Sequence, residues 1–432
     1  MELALLGRLG VVSGLVGRRW VLWSAFLIVH VAFGLLFLQG EARGDVQNFY
    51  LLWFREASSR HVIVGVNRSW VYPLLAWLPI AIAGLAGPAG DRGYELAWLV
   101  LVIVVDSAAF AMLTARLSRS RVIAAWWWTI ALAALGPVFI GRLDTVASAL
   151  AVAAVVVIAF RPWLAGVLLS IATWVKVWPA ALILAFAIGG KRRVSVVLAV
   201  VSTSVIVAVV SVLLGGGRYL FTFITAQIGR GLQIESPLAT PWLWADASGA
   251  PAIRIYWDPT ISTYQLVGPG VALAAKLSSL VLVTAVLVTL AFGIRAVIRR
   301  ADASRTVAAL SLALTMAVTA FNKVGSPQYE MWCVPIVIFG LLVSTRWFRT
   351  PAILVVVASC LTQGIYPYFY RSLLLAQPWM VFLITARNLL EFTILAWALI
   401  ALWQAPATPL LERDAEISIA VAGDGPHGTH GT

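Results

Sequence analysis

The sequence predicts an all-α polytopic membrane protein with roughly eleven to thirteen transmembrane helices, and three observations predict it. Of 432 residues, 61% are hydrophobic and only 11% are charged. A globular domain carries about a quarter charged residues, so this chain cannot cover itself with a charged surface in water. Mean hydropathy is +0.94, and apolar runs of membrane length recur from one end to the other. Between those runs, arginine and lysine gather in short clusters.

The first apolar run, 20–39, follows Arg18 and Arg19. It looks superficially like the core of a signal peptide. It has full membrane length and no small-residue cleavage site, so it reads as a retained first helix. Further apolar segments fall at 71–88, 95–115, 122–140, 145–160, 163–190, 194–214, 270–293, 306–320, 331–345, 351–368 and 376–403. A helix needs about 20 residues to cross a bilayer, and several of these are shorter or longer. The stretch 163–190 is interrupted by Lys176 and Pro179, so it is either one long kinked helix or two short ones.

The net charge is +13 and the pI about 10.3. In a soluble protein that balance would point to nucleic acid. Here the charge sits in Arg116, Arg119 and Arg121, in Lys191 to Arg193, in Arg295 to Arg305, and in Arg346 and Arg349, each cluster between apolar runs. That is the positive-inside pattern of cytoplasmic loops, and no nucleic-acid partner is expected. The longer loops 40–70 and 215–268 carry little net charge and are assigned to the outer face. This assignment requires 71–115 to cross an odd number of times, although two apolar segments lie there. Either one is re-entrant or the 116–121 cluster faces outward. Residues 1–403 form one polytopic domain, and 404–432 are expected to be a polar, disordered cytoplasmic tail. Trp20, Trp53, Trp70, Trp126 to Trp128, Trp242 and Trp347 sit at segment ends and read as interfacial anchors. Cys333 and Cys360 lie in apolar runs and the four histidines are scattered, so neither a disulfide framework nor a metal site is expected.

Residues that are expensive in a membrane are candidate functional residues. Asp45 follows the first helix in Gly44-Asp45-Val46-Gln47-Asn48-Phe49-Tyr50, where a carboxylate above the membrane surface suits a general base; an ordinary loop aspartate is the alternative. The stretch after it, 49–54, is aromatic and amphipathic and reads as interfacial. Arg142 and Asp144 lie between two apolar segments and form either a local ion pair or a substrate contact. Lys176 is a cation flanked by apolar residues, suited to hold an anion or else to snorkel. In the long loop, Arg230 can pair with a phosphate, while Gln233 and Glu235 can bond hydroxyls. Asn322, Lys323, Gln328 and Tyr329 put a cation, amides and a phenol into one short connection, which suits a polar ligand. Asp106 reads as a bond to a neighbouring helix, and Arg387 with Glu391, four apart, as a structural ion pair. Together the carboxylates, cations, amides and aromatics suit a substrate with a phosphate, hydroxyls and an apolar tail, such as a polyprenyl-phosphate sugar.

At these residues the chain resembles glycosyltransferase family 87, polytopic enzymes of the GT-C fold best known from actinobacteria. The motifs are GDVQNFY at 44–50, WVYPL at 70–74, GRLDTVASALAV at 141–152, AGVLLSIATWVKVWP at 165–179, RGLQIESP at 230–237 and NKVGSPQY at 322–329. The resemblance implies transfer of a hexose, commonly mannose, from a polyprenyl-phosphate donor. The acceptor would be an envelope glycolipid or lipoglycan at the outer face of the plasma membrane, as in the enzymes that extend phosphatidylinositol mannosides. It carries over an essential first-loop aspartate onto Asp45. Enzymes of this fold often have two acidic residues there. Here Asp45 alone is read at that position, with Glu56 a distant candidate for the second. The implied mechanism is an inverting displacement with Asp45 as base and Lys176, Arg230 and Lys323 facing the leaving phosphate. No cofactor is implied beyond the lipid-linked sugar, and no metal is required. A secondary transporter or lipid flippase is the rival reading; the lack of a convincing internal repeat counts against it.

Overall fold

In hydrocarbon a backbone must satisfy its own hydrogen bonds, and the apolar runs of this chain do so as helices. The computed structural model describes residues 14, 16–87, 90–227 and 229–405. Apart from residues 404 and 405, the expected tail lies outside them.

The first run forms α1 (Arg19–Gln39). After it the chain makes a tight helical passage through Asp45 into the short amphipathic α2 (Leu51–Arg60). Then come α3 (Trp77–Ala86), α4 (Asp91–Thr114) and α5 (Arg119–Leu135), followed by α6 (Leu143–Val157), α7 (Pro162–Val175), α8 (Ala180–Gly189) and α9 (Arg193–Leu213). The long loop after α9 holds α10 (Thr240–Ala247) and one antiparallel hairpin, β1 (Arg254–Asp258) and β2 (Thr263–Val267), in which Trp257 pairs with Tyr264. The chain closes with α11 (Val271–Ile298), α12 (Ala303–Phe321), α13 (Cys333–Val343), α14 (Arg349–Gln363) and α15 (Pro378–Trp403).

Among the described residues, 8 helices are long and apolar enough to cross a membrane: α1, α4, α5 with its continuation to Phe139, α9, α11, α12, α14 with its continuation to Tyr368, and α15. The protein is thus an all-α polytopic membrane protein, its one hairpin excepted. The other apolar helices are shorter. The run at 71–88 yields only Leu74–Ala86, about 20 Å at 1.5 Å per residue, which is less than the hydrocarbon core. By length, α4 is therefore the one full crossing between the 40–70 loop and the 116–121 cluster. The stretch 163–190 is two helices. Lys176 adopts extended backbone (φ −150, ψ 133) and Pro179 precedes the restart of α8.

Burial follows membrane logic. α6 and α12 are almost wholly buried, the signature of central helices. α9 and α11 present Leu198, Val201, Val205, Leu273, Leu280 and Leu287 outward, a surface that only hydrocarbon would wet without penalty. Three tryptophans read as interfacial, Trp70, Trp127 and Trp128, are core residues instead. Trp128 packs edge-on against Phe26, and Trp70 is buried against Trp53, Tyr72 and Trp77. Their position near segment ends does not reveal that those ends are covered by other helices.

Asp106 does bond a neighbouring helix. Its Oδ2 lies 3.0 Å from His30 Nε2, while His30 Nδ1 faces the Phe26 carbonyl at 2.9 Å; both side chains are fully buried. Removing one member strands the other in an apolar interior. Asp106→Ala is expected to lower stability by about 3 kcal/mol, and His30→Leu combined with Asp106→Leu by clearly less. Detergent-phase thermal unfolding of the single and double variants measures this; equal losses would show that the pair is not coupled.

Candidate functional site

The segment joining α5 to α6 is the base of the site. Gly141 permits it: a Cβ there would collide with the Ala42 carbonyl, so the loop carrying Asp45 lies directly against the 141–144 turn. Arg142 and Asp144 do not pair with each other. An (i, i+2) spacing at a helix start sends the two side chains different ways. Arg142 Nη1 reaches Asp45 Oδ1 at 3.1 Å, and its Nε donates to Gln328 Oε1 at 3.3 Å. Asp144 turns the opposite way, to Lys176 Nζ at 3.0 Å and to the Trp332 indole N–H at 2.7 Å. Lys176 also sits over the Tyr72 ring, 4.3 Å from its centroid.

The break between α7 and α8 places Lys176 here. Its ammonium leaves the helix axis at the extended residue and finds a carboxylate rather than the membrane surface. Exposure sorts the four ionic residues. Asp144 is fully buried, Arg142 is 7% exposed, Lys176 15% and Asp45 24%, so Asp45 is the most open of them. Tyr50 joins the two pairs, accepting from the Leu143 N–H at 3.3 Å. Burial pushes the Tyr50 and Tyr72 phenols up, and the nearby Asp45 and Asp144 carboxylates push the same way.

Two more segments close over this base. Gln233 N–H donates to the Lys323 carbonyl at 3.0 Å, and Ser236 Oγ to the Asn322 carbonyl at 2.6 Å. A Cβ on Gly325 would collide with the backbone of Glu235 and Ser236, which explains a glycine at the closest approach. Gln233 thus stitches the loop, with its amide 3.4 Å from the Thr263 hydroxyl, and Asn322 bonds the Val324 N–H at 3.0 Å. Arg230 and Lys323 lie near one another. Burial, then the Arg230 charge, pushes the Lys323 ammonium down. Tyr329 packs on Trp332 with centroids 4.0 Å apart. Glu235 is buried and accepts from the Tyr370 hydroxyl at 3.0 Å. Burial raises its carboxyl to about 7, against the pull of Arg387, Tyr370 and Arg142.

The structure therefore gathers Asp45, Arg142, Asp144, Lys176, Gln328 and Tyr329 into one cluster, with Arg230, Glu235 and Lys323 above it. Glu56 is elsewhere, paired with Arg68 at 2.5 Å. The second carboxylate of the cluster is Asp144, about a hundred residues further along the chain. Arg387 pairs with Glu391 at 3.0 Å and also donates to the Glu235 carbonyl at 2.7 Å, so this ion pair anchors the outer loop. Sequence reasoning missed Tyr72, Trp332, Tyr366 and Tyr370. Tyr72 stood inside a quoted motif, and Trp332 three residues past another.

A family model described as glycosyltransferase family 87 matches residues 70–321, more than half of the chain. The match includes Arg142, Asp144, Lys176, Arg230, Gln233 and Glu235; Asp45 and the 322–329 connection lie outside it. No curated protein and no solved structure matches the chain.

Two outcomes follow from the geometry. Gly141→Ala is expected to push the Asp45 loop off the turn and cut activity by about 100-fold while the protein still folds. Activity near wild type with unchanged thermal stability would show that this contact does not position the loop. For Glu235 the folded-state value, about 7, lies above the ordinary 4.5. Its contribution to stability is then full below pH 4.5 and lost as pH rises through 7. Wild type should lose thermal stability across that window, and Glu235→Gln should flatten the slope.

Proposed function

Because the chain belongs to glycosyltransferase family 87 and is a membrane glycosyltransferase, we propose that it transfers a hexose, most simply mannose, from a polyprenyl-phosphate donor to an envelope glycolipid or lipoglycan. We place the reaction at the outer face of the plasma membrane. The observation that carries this reading is the Asp45–Arg142 pair at 3.1 Å. It sets a partly open carboxylate beside three further cations, Lys176, Arg230 and Lys323, in a site walled by aromatic rings.

Asp45 Oδ1 is taken by Arg142, which leaves Oδ2 for an acceptor hydroxyl. In the transfer, Asp45 accepts the hydroxyl proton as that oxygen bonds the anomeric carbon. The bond from the anomeric carbon to the phosphate oxygen breaks, and its electron pair leaves on the lipid phosphate. The configuration inverts, through an oxocarbenium-like state of the kind met in glycoside hydrolysis. Lys176, Arg230 and Lys323 face the charge that grows on the phosphate. Lys176 is held for this by Asp144 and by the Tyr72 ring. The aromatic stretch Phe49 to Phe54 suits the apolar chain of the donor, and no step in this scheme draws on a cofactor.

The test is radiolabel transfer in membranes supplied with polyprenyl-phosphate mannose and envelope lipids. Asp45→Asn should lose between about 100- and 10,000-fold of the rate at normal expression, the range of a general base. Full activity in that variant would remove Asp45 from the mechanism. Transfer of another sugar but not mannose would change the donor assignment alone.

A further inference from the structure

The hairpin of the long loop carries a feature that the transfer chemistry does not use. Trp257 and Tyr264 are cross-strand partners, so they share one face of the hairpin with Ile255 and Leu266. Leu266 is buried, as is Gln265 on the opposite face, while Trp257, at the outer end, stays 47% exposed. From Trp257 the rings continue inward. Centroids lie 4.9 Å apart from Trp257 to Tyr264, 6.0 Å from Tyr264 to Tyr370, and 5.2 Å from Tyr370 to Tyr366. Arg142, the partner of Asp45, lies over Tyr366 at 5.8 Å from the centroid. A line of aromatic rings thus runs from an exposed hairpin to the candidate base.

We infer that Trp257, Tyr264, Tyr370 and Tyr366 form a binding track for a saccharide chain on the acceptor, ending at Asp45. The inference rests on the glycosyltransferase reading above and goes further, in that it names the rings that hold the acceptor's sugars beyond the one that reacts. The inner phenols are already engaged. Tyr370 donates to Glu235 Oε1, and Tyr366 to the Glu41 carbonyl at 3.1 Å. What these half-buried rings leave open is carbon surface, and a ring face is the negative end of an aromatic quadrupole. The C–H faces of a pyranose match it. Successive rings stand steeply to one another, at 60°, 65° and 87°, so a chain meets faces and edges in alternation rather than one flat wall.

The alternative occupant is a membrane lipid. The hairpin's polar groups argue for sugar. Arg254, Asp258, Thr263 and Gln265 make up the opposite face of the hairpin, and Asp258 accepts from the Thr260 hydroxyl at 2.5 Å and from the Gln265 amide at 2.6 Å. A strand pair built to enter hydrocarbon would not carry charges at both ends of one strand.

The test uses the full chain in nanodiscs and linear mannosides of one to four sugars, with binding read by saturation-transfer NMR so that catalysis is not required. Wild type should bind the tetrasaccharide about tenfold more tightly than the monosaccharide, the scale of one aromatic contact. Trp257→Ala should erase that gain at unchanged thermal stability, and Trp257→Phe should keep most of it. Length-independent binding in wild type, or an unchanged gain in Trp257→Ala, overturns the track. Quenching by brominated lipid that is lost specifically in Trp257→Phe would assign the ring to the membrane and overturn it too. These results stand apart from the transfer assay: absence of mannosyl transfer defeats the donor reading, whereas length-independent binding defeats only the track.

Discussion

Charges withdrawn from water must be paired, and in this protein one short turn does the pairing for two distant segments. Arg142 and Asp144 sit two residues apart at the start of a helix buried on nearly every side. Neither could be held there alone. Arg142 is neutralised by Asp45 from the loop after α1, and Asp144 by Lys176 from the break between α7 and α8. The 141–144 turn therefore fixes both the loop and the break. It does so through bonds whose loss on either side leaves an uncompensated charge in the interior.

The short helices make room for this arrangement. A helix that crosses fully carries its unsatisfied end groups to water or headgroups. One that stops early leaves them inside the protein, where they need polar partners. α6, α7 and α8 all begin or end beside the ionic cluster, and the helical turn before α13 brings Gln328 and Trp332 to it. The outer loop then closes over the cluster by backbone contact at Gly325 and through the Arg387 bond to the Glu235 carbonyl. Polar residues at helix ends and truncated helices are two aspects of one design, because each requires the other.

Much of the fold was legible in the sequence because hydrocarbon imposes a strong and local rule: apolar runs of sufficient length must be helices. The runs at 20–39, 194–214 and 376–403 became α1, α9 and α15 with boundaries within a few residues. The break at Lys176 and Pro179 was legible for the same reason, since a lysine and a proline are costly within one span. What could not be read was pairing. Arg142 and Asp144 are neighbours in sequence and suggest a local ion pair, whereas their partners lie 97 residues before and 32 residues after them. The depth of Trp70 and Trp128 was hidden likewise, because composition at a segment end does not say what covers it. Glu41 and Glu56 are the acids near Asp45 along the chain, whereas the fold brings Asp144 into its cluster.

The two aspartates of the cluster show how environment divides labour between identical side chains. Both are ion-paired at about the same distance, so pairing does not distinguish them. Access does. Asp144 is fully buried and spends its carboxylate on Lys176 and Trp332, so an acceptor hydroxyl cannot meet it without displacing protein atoms. Its effect on a ligand passes through Lys176, which it holds over the Tyr72 ring. Asp45 keeps an open side and lies where the aromatic line from Trp257 ends, so on the proposed reading a hydroxyl held along those rings meets this carboxylate. On the proposed mechanism, proton acceptance therefore falls to the carboxylate on the loop, and orientation of a cation to the one on the helix.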